Sequence, residues 1–372
     1  MQLIAPIHKP SPALLGLSRK SLGAGAEDAA ILRARLAARG IGTPLPVFHD
    51  NRVVAVVQGR HPYSDETRVQ RVPYRYNFAY TSYDDMISEM AAGKVYTAQF
   101  GKTPTSAGVA NNWYDLWPVT GNPTAGGLAG TAATAVQVNS ATAGAIYVGG
   151  DVSTDVKYLL SVWAIATANT PTLILYDRVL TYDSCVHTNT ANQAMTNGVA
   201  AQRYISAGEP GLQICCAVDT VQGATATNLT QLQYTDNDGN ATQSMPTTPT
   251  VTFIPSAAAS TTTLGARIIA PITSGATVPW GPFLPLASGD AGARLIANYT
   301  TSSSNTGTHC FIMMKPLAIL PAPVAGIGNM VEQVFQVPGL PRIYDGACIS
   351  LLAFQPATTA YTLYGGCNVG WG

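Results

Sequence analysis

Two short stretches hold the residue types that most often do chemistry. TYDSCVHTNT (181–190) and GTHCFIMMK (307–315) each set a cysteine beside a histidine. Thiolate and imidazole are common zinc ligands, so Cys185, His187, His309 and Cys310 make a conventional donor set. The spacing argues against it. Residues two apart on a strand share a face, so Cys185 and His187 can aim at one point. His309 and Cys310 are adjacent and face opposite sides. At most three of the four converge without a bend or bulge. Neither pair has the C-x₂₋₄-C or H-x₃₋₅-H spacing of a structural zinc site. The spacing therefore predicts two buried cysteines in strands, two polar histidines at loop ends, and no metal or other cofactor.

The remaining chemical candidates reduce to local structure. Cys215 and Cys216 are neighbours on a strand-like run and point apart, as small buried hydrophobes do; a redox pair prefers C-x-x-C. No G-x-S-x-G, H-E-x-x-H, Walker or Rossmann loop occurs. Asp84 and Asp85 open a helix, and Asp236 and Asp238 lie in a hairpin turn. DNDGNA (236–241) starts like a calcium loop, but its glycine comes two positions early and no Glu closes it. The chain is expected not to be an enzyme.

Two stretches suggest binding rather than catalysis. In RVQRVPYRYNFAY (68–80), Arg68, Arg71 and Arg75 alternate with Tyr74, Tyr76 and Phe78. Such a segment suits single-stranded nucleic acid. It also suits an arm that crosses a neighbouring subunit, with aromatic anchors and Arg as polar fixings. The arm is the preferred reading, because the rest of the chain is acidic. In NNWYDLWPVTGNP (111–123), Trp113, Tyr114 and Trp117 form a possible surface aromatic cluster. Clustered aromatics can make a sugar platform, or plug the end of a sandwich.

The elements that would position these residues are mostly strands. GAGAEDAAILRARLAARG reads as a helix over about 25–39, with acids in its first turn and Arg33, Arg35 and Arg39 toward its end. A second helix is expected over 82–92, with Ser82 as N-cap and Gly93 as C-cap. Val53–Val57 is a strand candidate. After Lys94, short β-branched or aromatic runs recur between turn signals, among them KVYTAQF, AIYVGG, TLILYDRVLTY, HCFIMMK and VEQVFQV. LTQLQYTDNDGNATQ alternates with period two into a hairpin at Asp238-Gly239. The expected fold is mainly β: a β-sandwich or jelly-roll-like body with an extended N-terminal arm carrying one or two short helices. Residues 1–75 would be the basic arm, 76–260 the first part of the body and 261–372 the second. IPSAAASTTT (254–263) is either a boundary between those parts or a loop inside one continuous sandwich.

Composition bears on partners. Of 372 residues, 47% are hydrophobic and only 11% charged, under half the usual ~25% of a soluble domain. So little charge gives little electrostatic protection against self-association. Residues 1–75 hold eleven Lys and Arg against five Asp and Glu, and the rest hold nine against fifteen. A basic segment on an acidic body suits contact with neighbouring copies. No signal-peptide stretch and no membrane-length apolar run occurs; FIMMKPLAILPAPVAGIG is broken by Lys315 and three prolines. Synthesis in a cytoplasm, free thiols and no membrane partner are the expectations.

GKTPTSAGVANNWYDLWPVTGNPTAG (101–126), LTQLQYTDNDGNATQS (229–244) and the Thr/Ala/Gly-rich texture resemble virion structural proteins of tailed bacteriophages. The resemblance spans 94–370 loosely and has no catalytic motif, so no functional residue is carried over. The long spine helix and charged extended loop of the usual major capsid fold are missing. The resemblance therefore implies a β-sandwich cement, decoration or minor head protein of a virion, made in the host cytoplasm. Its partners would be other copies of itself and a major capsid protein, with nucleic acid not expected. Arg33, Arg35, Arg39, Arg68, Arg71, Tyr74, Arg75 and Tyr76 would be the subunit contacts. The alternative is a tail or baseplate β-module that binds host carbohydrate through Trp113, Tyr114 and Trp117.

Overall fold

The computed structural model describes residues 45–49, 52–57 and 69–70 by their backbone. It describes 80, 82–104, 108–127, 130–152, 154–199, 203–205, 209, 211–271, 281–322, 324–336 and 339–372 in full. The chain divides into two compact units, residues 1–76 and 77–372.

In the first unit, β1 (Leu45–His49), β2 (Arg52–Val57) and β3 (Val69–Gln70) form a three-stranded antiparallel sheet. Leu45 stands opposite Val57, with a bulge at Val47/Phe48. The expected arm thus includes paired sheet. The helix expected over 25–39 lies outside the described residues.

The second unit is mainly β and sandwich-like. Its one described helix, α1 (Tyr83–Ala91), starts where Ser82 accepts a hydrogen bond from the Asp85 amide, and Asp84 and Asp85 fill the first turn. Ala92, not the expected Gly93, is the C-cap, and Gly93 follows it in the left-handed region with φ +87°. This helix belongs to the body, not to the arm. The strands are β4 (Val95–Lys102), β5 (Asn112–Asp115), β6 (Gly121–Asn122), β7 (Ala135–Gln137), β8 (Lys157–Ala166), β9 (Thr172–Val186) and β10 (Gln193–Ala194). After them come β11 (Gln213–Val218), β12 (Thr227–Asp236), β13 (Gln243–Ser244), β14 (Val251–Phe253), β15 (Ala266–Arg267) and β16 (Ala293–Thr301). The last are β17 (Thr308–Pro321), β18 (Asn329–Glu332), β19 (Arg342–Ile343), β20 (Ile349–Gln355) and β21 (Leu363–Trp371).

They make three antiparallel sheets. A six-stranded sheet runs β18-β8-β21-β4-β6 with β19 on β8. A seven-stranded sheet runs β11-β17-β9-β20-β5-β15 with β7 on β9. A five-stranded sheet runs β10-β16-β12-β13 with β14 on β12. The seven-stranded sheet holds the other two together. One end of one face packs Leu173, Leu175, Leu317 and Leu351 against Phe100, Val162 and Leu363 of the six-stranded sheet. Farther along β9 and β17, Tyr182, Phe311 and Met313 pack against Leu232, Ile296 and Tyr299 of the five-stranded sheet. Its opposite face buries Ile174, Tyr176, Cys215, Cys310 and Ile312. β9 and β17 are 15 and 14 residues long, and that length lets one strand pair serve two cores. Strands from both sides of residues 254–263 share these sheets, so that segment lies within one unit.

Three strand expectations are corrected. AIYVGG makes one bridge, Ile146 to Ile349, and Gly149 (φ +88°) turns the chain away. VEQVFQV stops at Glu332, whose carboxylate accepts from the Val334 and Phe335 amides, both at 2.6 Å, and folds the chain into a turn. HCFIMMK does not end at the proline: β17 runs on to Pro321. β11 pairs with β17 only as far as Met314, so no strand on that side needs an N–H from Pro316.

Candidate functional site

The four Cys/His candidates fall on the seven-stranded sheet beside a bulge. Cys185 stands opposite His309 and Tyr182 opposite Phe311, so Asp183 and Ser184 together oppose Cys310. Ser184 takes φ +50° to allow it. Cys185, His187 and His309 consequently share one face, and Cys310 turns to the other. The thiol of Cys185 reaches the Tyr182 and Asp183 carbonyls at 3.6 and 3.7 Å. His309 Nδ1 and His187 Nε2 lie 2.9 Å apart and share a hydrogen bond. Among the described residues, no group of three or more His, Cys, Asp or Glu is placed to hold a metal. The two histidines do stand at strand ends, but they are not solvated. Both are fully buried, against Phe253, Tyr299 and Phe311.

Trp113, Tyr114 and Trp117 do not form a surface cluster. Tyr114 and Trp117 are buried, and Trp113 is half-buried against Phe354 and the side chains on the opposite face of the seven-stranded sheet. The strand start at Asn112 explains this: β5 is an interior strand, paired with β20 on one side and β15 on the other. The Tyr114 hydroxyl accepts from the Val109 amide at 2.7 Å, and Trp117 stacks under a guanidinium. The arm residues Arg33, Arg35, Arg39, Arg68, Arg71, Tyr74, Arg75 and Tyr76 lie outside the described residues.

The main polar site of the interior was not picked out from the sequence. Its signal is the Asp177-Arg178 pair in the middle of the apolar run TLILYDRVLTY. Arg178 Nη1 donates to Asp115 Oδ2 at 2.6 Å, and its Nε donates to Thr181 Oγ1 at 3.0 Å. Asp115 Oδ1 accepts from the Tyr176 hydroxyl at 2.6 Å and the Trp117 amide at 3.0 Å. The Arg178 carbon Cζ lies 5.1 Å over the Trp117 ring. Beside this group, Arg203 grips Asp177 side-on, Nη2 to Oδ1 at 2.7 Å and Nε to Oδ2 at 3.0 Å. Tyr204 and the Cys348 amide donate to the same carboxylate at 2.9 and 2.8 Å. Burial opposes charge on Arg178, but the Asp115 carboxylate, with smaller contributions from Tyr176 and Cys310, outweighs it, so its pKa is raised. Burial pushes the Tyr176 and Tyr204 hydroxyls well up, and the neighbouring carboxylates add to that.

Apart from Arg178 Nη2, which is buried without a hydrogen-bond partner, these groups are occupied with one another. Arg178 lines a cavity of about 20 Å³ with Trp117, Thr181 and Asp183. That is room for one water, whereas small-molecule sites run to roughly 300–1,000 Å³. The arrangement ties β5, β9, β20 and the turn at Arg203 together where the two cores meet.

The outer surface offers a different kind of site. Tyr83 and Phe335 stand edge to face with centroids 5.1 Å apart, and Ile87 lies one helical turn from Tyr83. Phe335 is 68% exposed, and Tyr83 and Ile87 are about half exposed. Asp84 and Glu332 flank them. Tyr96 and Tyr147 form a second exposed edge-to-face pair, at 5.5 Å.

No family model matches the sequence, and no curated protein matches it. Two solved structures are faintly similar. One is of the Gt strain of infectious bursal disease virus: 8% identity, 74% of this chain and 80% of that chain covered, TM-score 0.15. The other is a mutant VP2 protein of the same virus from derived T=1 particles: 9% identity, 74% and 77% covered, TM-score 0.15. A TM-score that low carries no argument for fold or function. The class defined by the geometry is a mainly β protein of antiparallel, sandwich-like sheets.

Proposed function

We propose that this chain is a non-enzymatic structural component of a virus particle, working through contacts with copies of itself and with a major capsid protein. The observation that carries this reading is the scarcity of charge on the body's surface. Residues 77–372 contain nine Lys and Arg and fifteen Asp and Glu. Seven of these (Lys102, Asp115, Lys157, Asp177, Arg178, Asp183 and Asp236) are buried, which leaves seventeen for the surface of a body of 296 residues. That surface exposes Tyr83, Ile87, Phe335, Met330 and Tyr364 instead. A free-standing protein with such a surface risks association, whereas one buried in a lattice uses it. Many modest contacts repeated by symmetry would stabilise the particle. Cement, decoration or minor head protein of a tailed bacteriophage is the finer form of the proposal, and it rests on the sequence resemblance. The first 75 residues, with six more basic than acidic side chains, would reach acidic bodies of adjacent copies.

The experiment is particle incorporation of full-length protein against a chain lacking residues 1–75. Near-UV circular dichroism is measured first, to show that the shortened chain keeps a native core. The expected outcome is a folded body that no longer joins the particle. Full incorporation of the shortened chain would remove the arm from the proposal. The carbohydrate reading through Trp113, Tyr114 and Trp117 is disfavoured, because Tyr114 and Trp117 are buried.

A further inference from the structure

His187 and His309 form a closed pair. His309 stands on β17 of the seven-stranded sheet, and His187 is the first residue after β9 of that sheet. The five-stranded sheet lies across them. Phe253 of β14 meets the His187 ring edge to face at 4.1 Å, and Tyr299 of β16 meets His309 at 5.2 Å. The pair therefore sits in the seam between two sheets.

Its hydrogen bonding is incomplete in either tautomer. Two neutral imidazoles share one N–H···N bond. The outer nitrogens, His187 Nδ1 and His309 Nε2, are buried and have no hydrogen-bond partner. One of these carries a proton and the other a lone pair, whichever way the shared bond runs. Adding a proton would create a charge and a second unmatched donor in a fully buried site. The surroundings offer no compensation. Cys185 on β9 and Tyr299 on β16 stay neutral in acid, since burial pushes the thiol up to about 12 and the phenol higher. Tyr299 is engaged with the Val186 carbonyl and Gln193. β14 contributes Val251, Thr252 and Phe253, with no titratable group. Asp219, beyond β11, accepts from Thr308 at 2.7 Å, and Asp183 on the bulge accepts from the Ser184 amide at 2.8 Å. Gln222 is neutral and donates to the Thr308 carbonyl at 2.7 Å. No hydrogen bond joins either ring to a carboxylate among the described residues.

We propose that the His187–His309 pair is an acid-sensitive seam, whose protonation loosens the five-stranded sheet from the seven-stranded sheet while the sandwich built on β4, β8 and β21 stays closed. The sign follows from burial. Burial lowers His187 from its ordinary 6.5 to about 4, and it lowers His309 well below its ordinary value, with His187 adding to the effect. The closed seam is fully favoured well above pH 6.5, where open and closed forms are both neutral. It loses ground as pH falls toward the closed-state values, because only the open form takes up protons. Between pH 7.5 and 5.0, His187 alone favours opening by on the order of 30-fold.

The test is hydrogen exchange on the full-length protein at pH 7.5 and 5.0, with rates corrected for intrinsic pH dependence. Expected at pH 5.0 are amides of β12, β14 and β16 opening at least ~10-fold more often, with those of β4, β8 and β21 unchanged. The same shift should be absent in a His187→Gln/His309→Gln double variant. A uniform response across both groups of strands would overturn the proposal, as would no response, or a local response that persists in the variant. If the double variant does not fold, histidine-labelled NMR of the wild type decides. Two imidazoles staying neutral at pH 5.0 support the seam, and all five titrating near 6.5 overturns it.

Discussion

Arg178 shows how one side chain can organise an interior. It is 1% exposed and charged, which is tolerable only because Asp115, Thr181 and the face of Trp117 meet it. Removing a partner is worse than never having the pair, since the remaining charge stays buried. Asp115→Ala is expected to cost about 3–5 kcal/mol in denaturant unfolding. A loss under ~1 kcal/mol would mean that the site hydrates freely. Tyr204 adds a second constraint. Its φ of +67° is a left-handed conformation, and its hydroxyl bond to Asp177 helps hold it there. The cysteines are chemically quiet for the same reason that the charges are paired. All six are buried and free, and burial pushes Cys348 and Cys367 up to about 12. At pH 8 a thiol reagent should label fewer than one cysteine per native chain within minutes, and six after denaturation.

At the scale of elements, β21 shows how glycine permits close sheet packing. A Cβ on Gly365 would come 2.3 Å from Phe100 and 2.4 Å from the Trp163 carbonyl. One on Gly366 would meet the Ala98 carbonyl at 2.5 Å. The central strand of the six-stranded sheet therefore carries two adjacent glycines despite their low strand propensity. Gly365→Ala is expected to destabilise the body by about 1–3 kcal/mol through overpacking, read as a lower denaturant midpoint with an unchanged slope. Ser82→Ala should cost only about 1 kcal/mol, because α1 is capped at the surface. Strand existence was legible from short β-branched runs, and α1 from its cap signals. Strand ends were not. Glu332 ends β18 by turning its carboxylate back on the chain, and Pro316 is tolerated because β11 has already ended.

For the whole molecule, the surface poses the question and the interior answers a different one. Exposed Tyr83, Ile87 and Phe335 form an apolar patch on a body with little charge. If the patch is a contact between copies, a Tyr83→Ser/Phe335→Ser variant should shift native mass by light scattering toward monomer with its circular dichroism unchanged. An identical mass distribution would remove the patch from the proposed interface. The sequence by itself determined the β class, the turn-rich texture, the α1 helix, the hairpin at Gly239 and the opposed faces of His309 and Cys310. Each follows from period, cap or turn chemistry acting within a few residues. Only the tertiary structure decided that Tyr114 and Trp117 are interior, that Asp177 and Arg178 find Arg203 and Asp115, and that His187 and His309 close on each other. Those partners are 26, 63 and 122 positions apart in the chain. Local patterns are silent about such distances, because sheet order and register set them, and both depend on burying surface contributed by the whole chain.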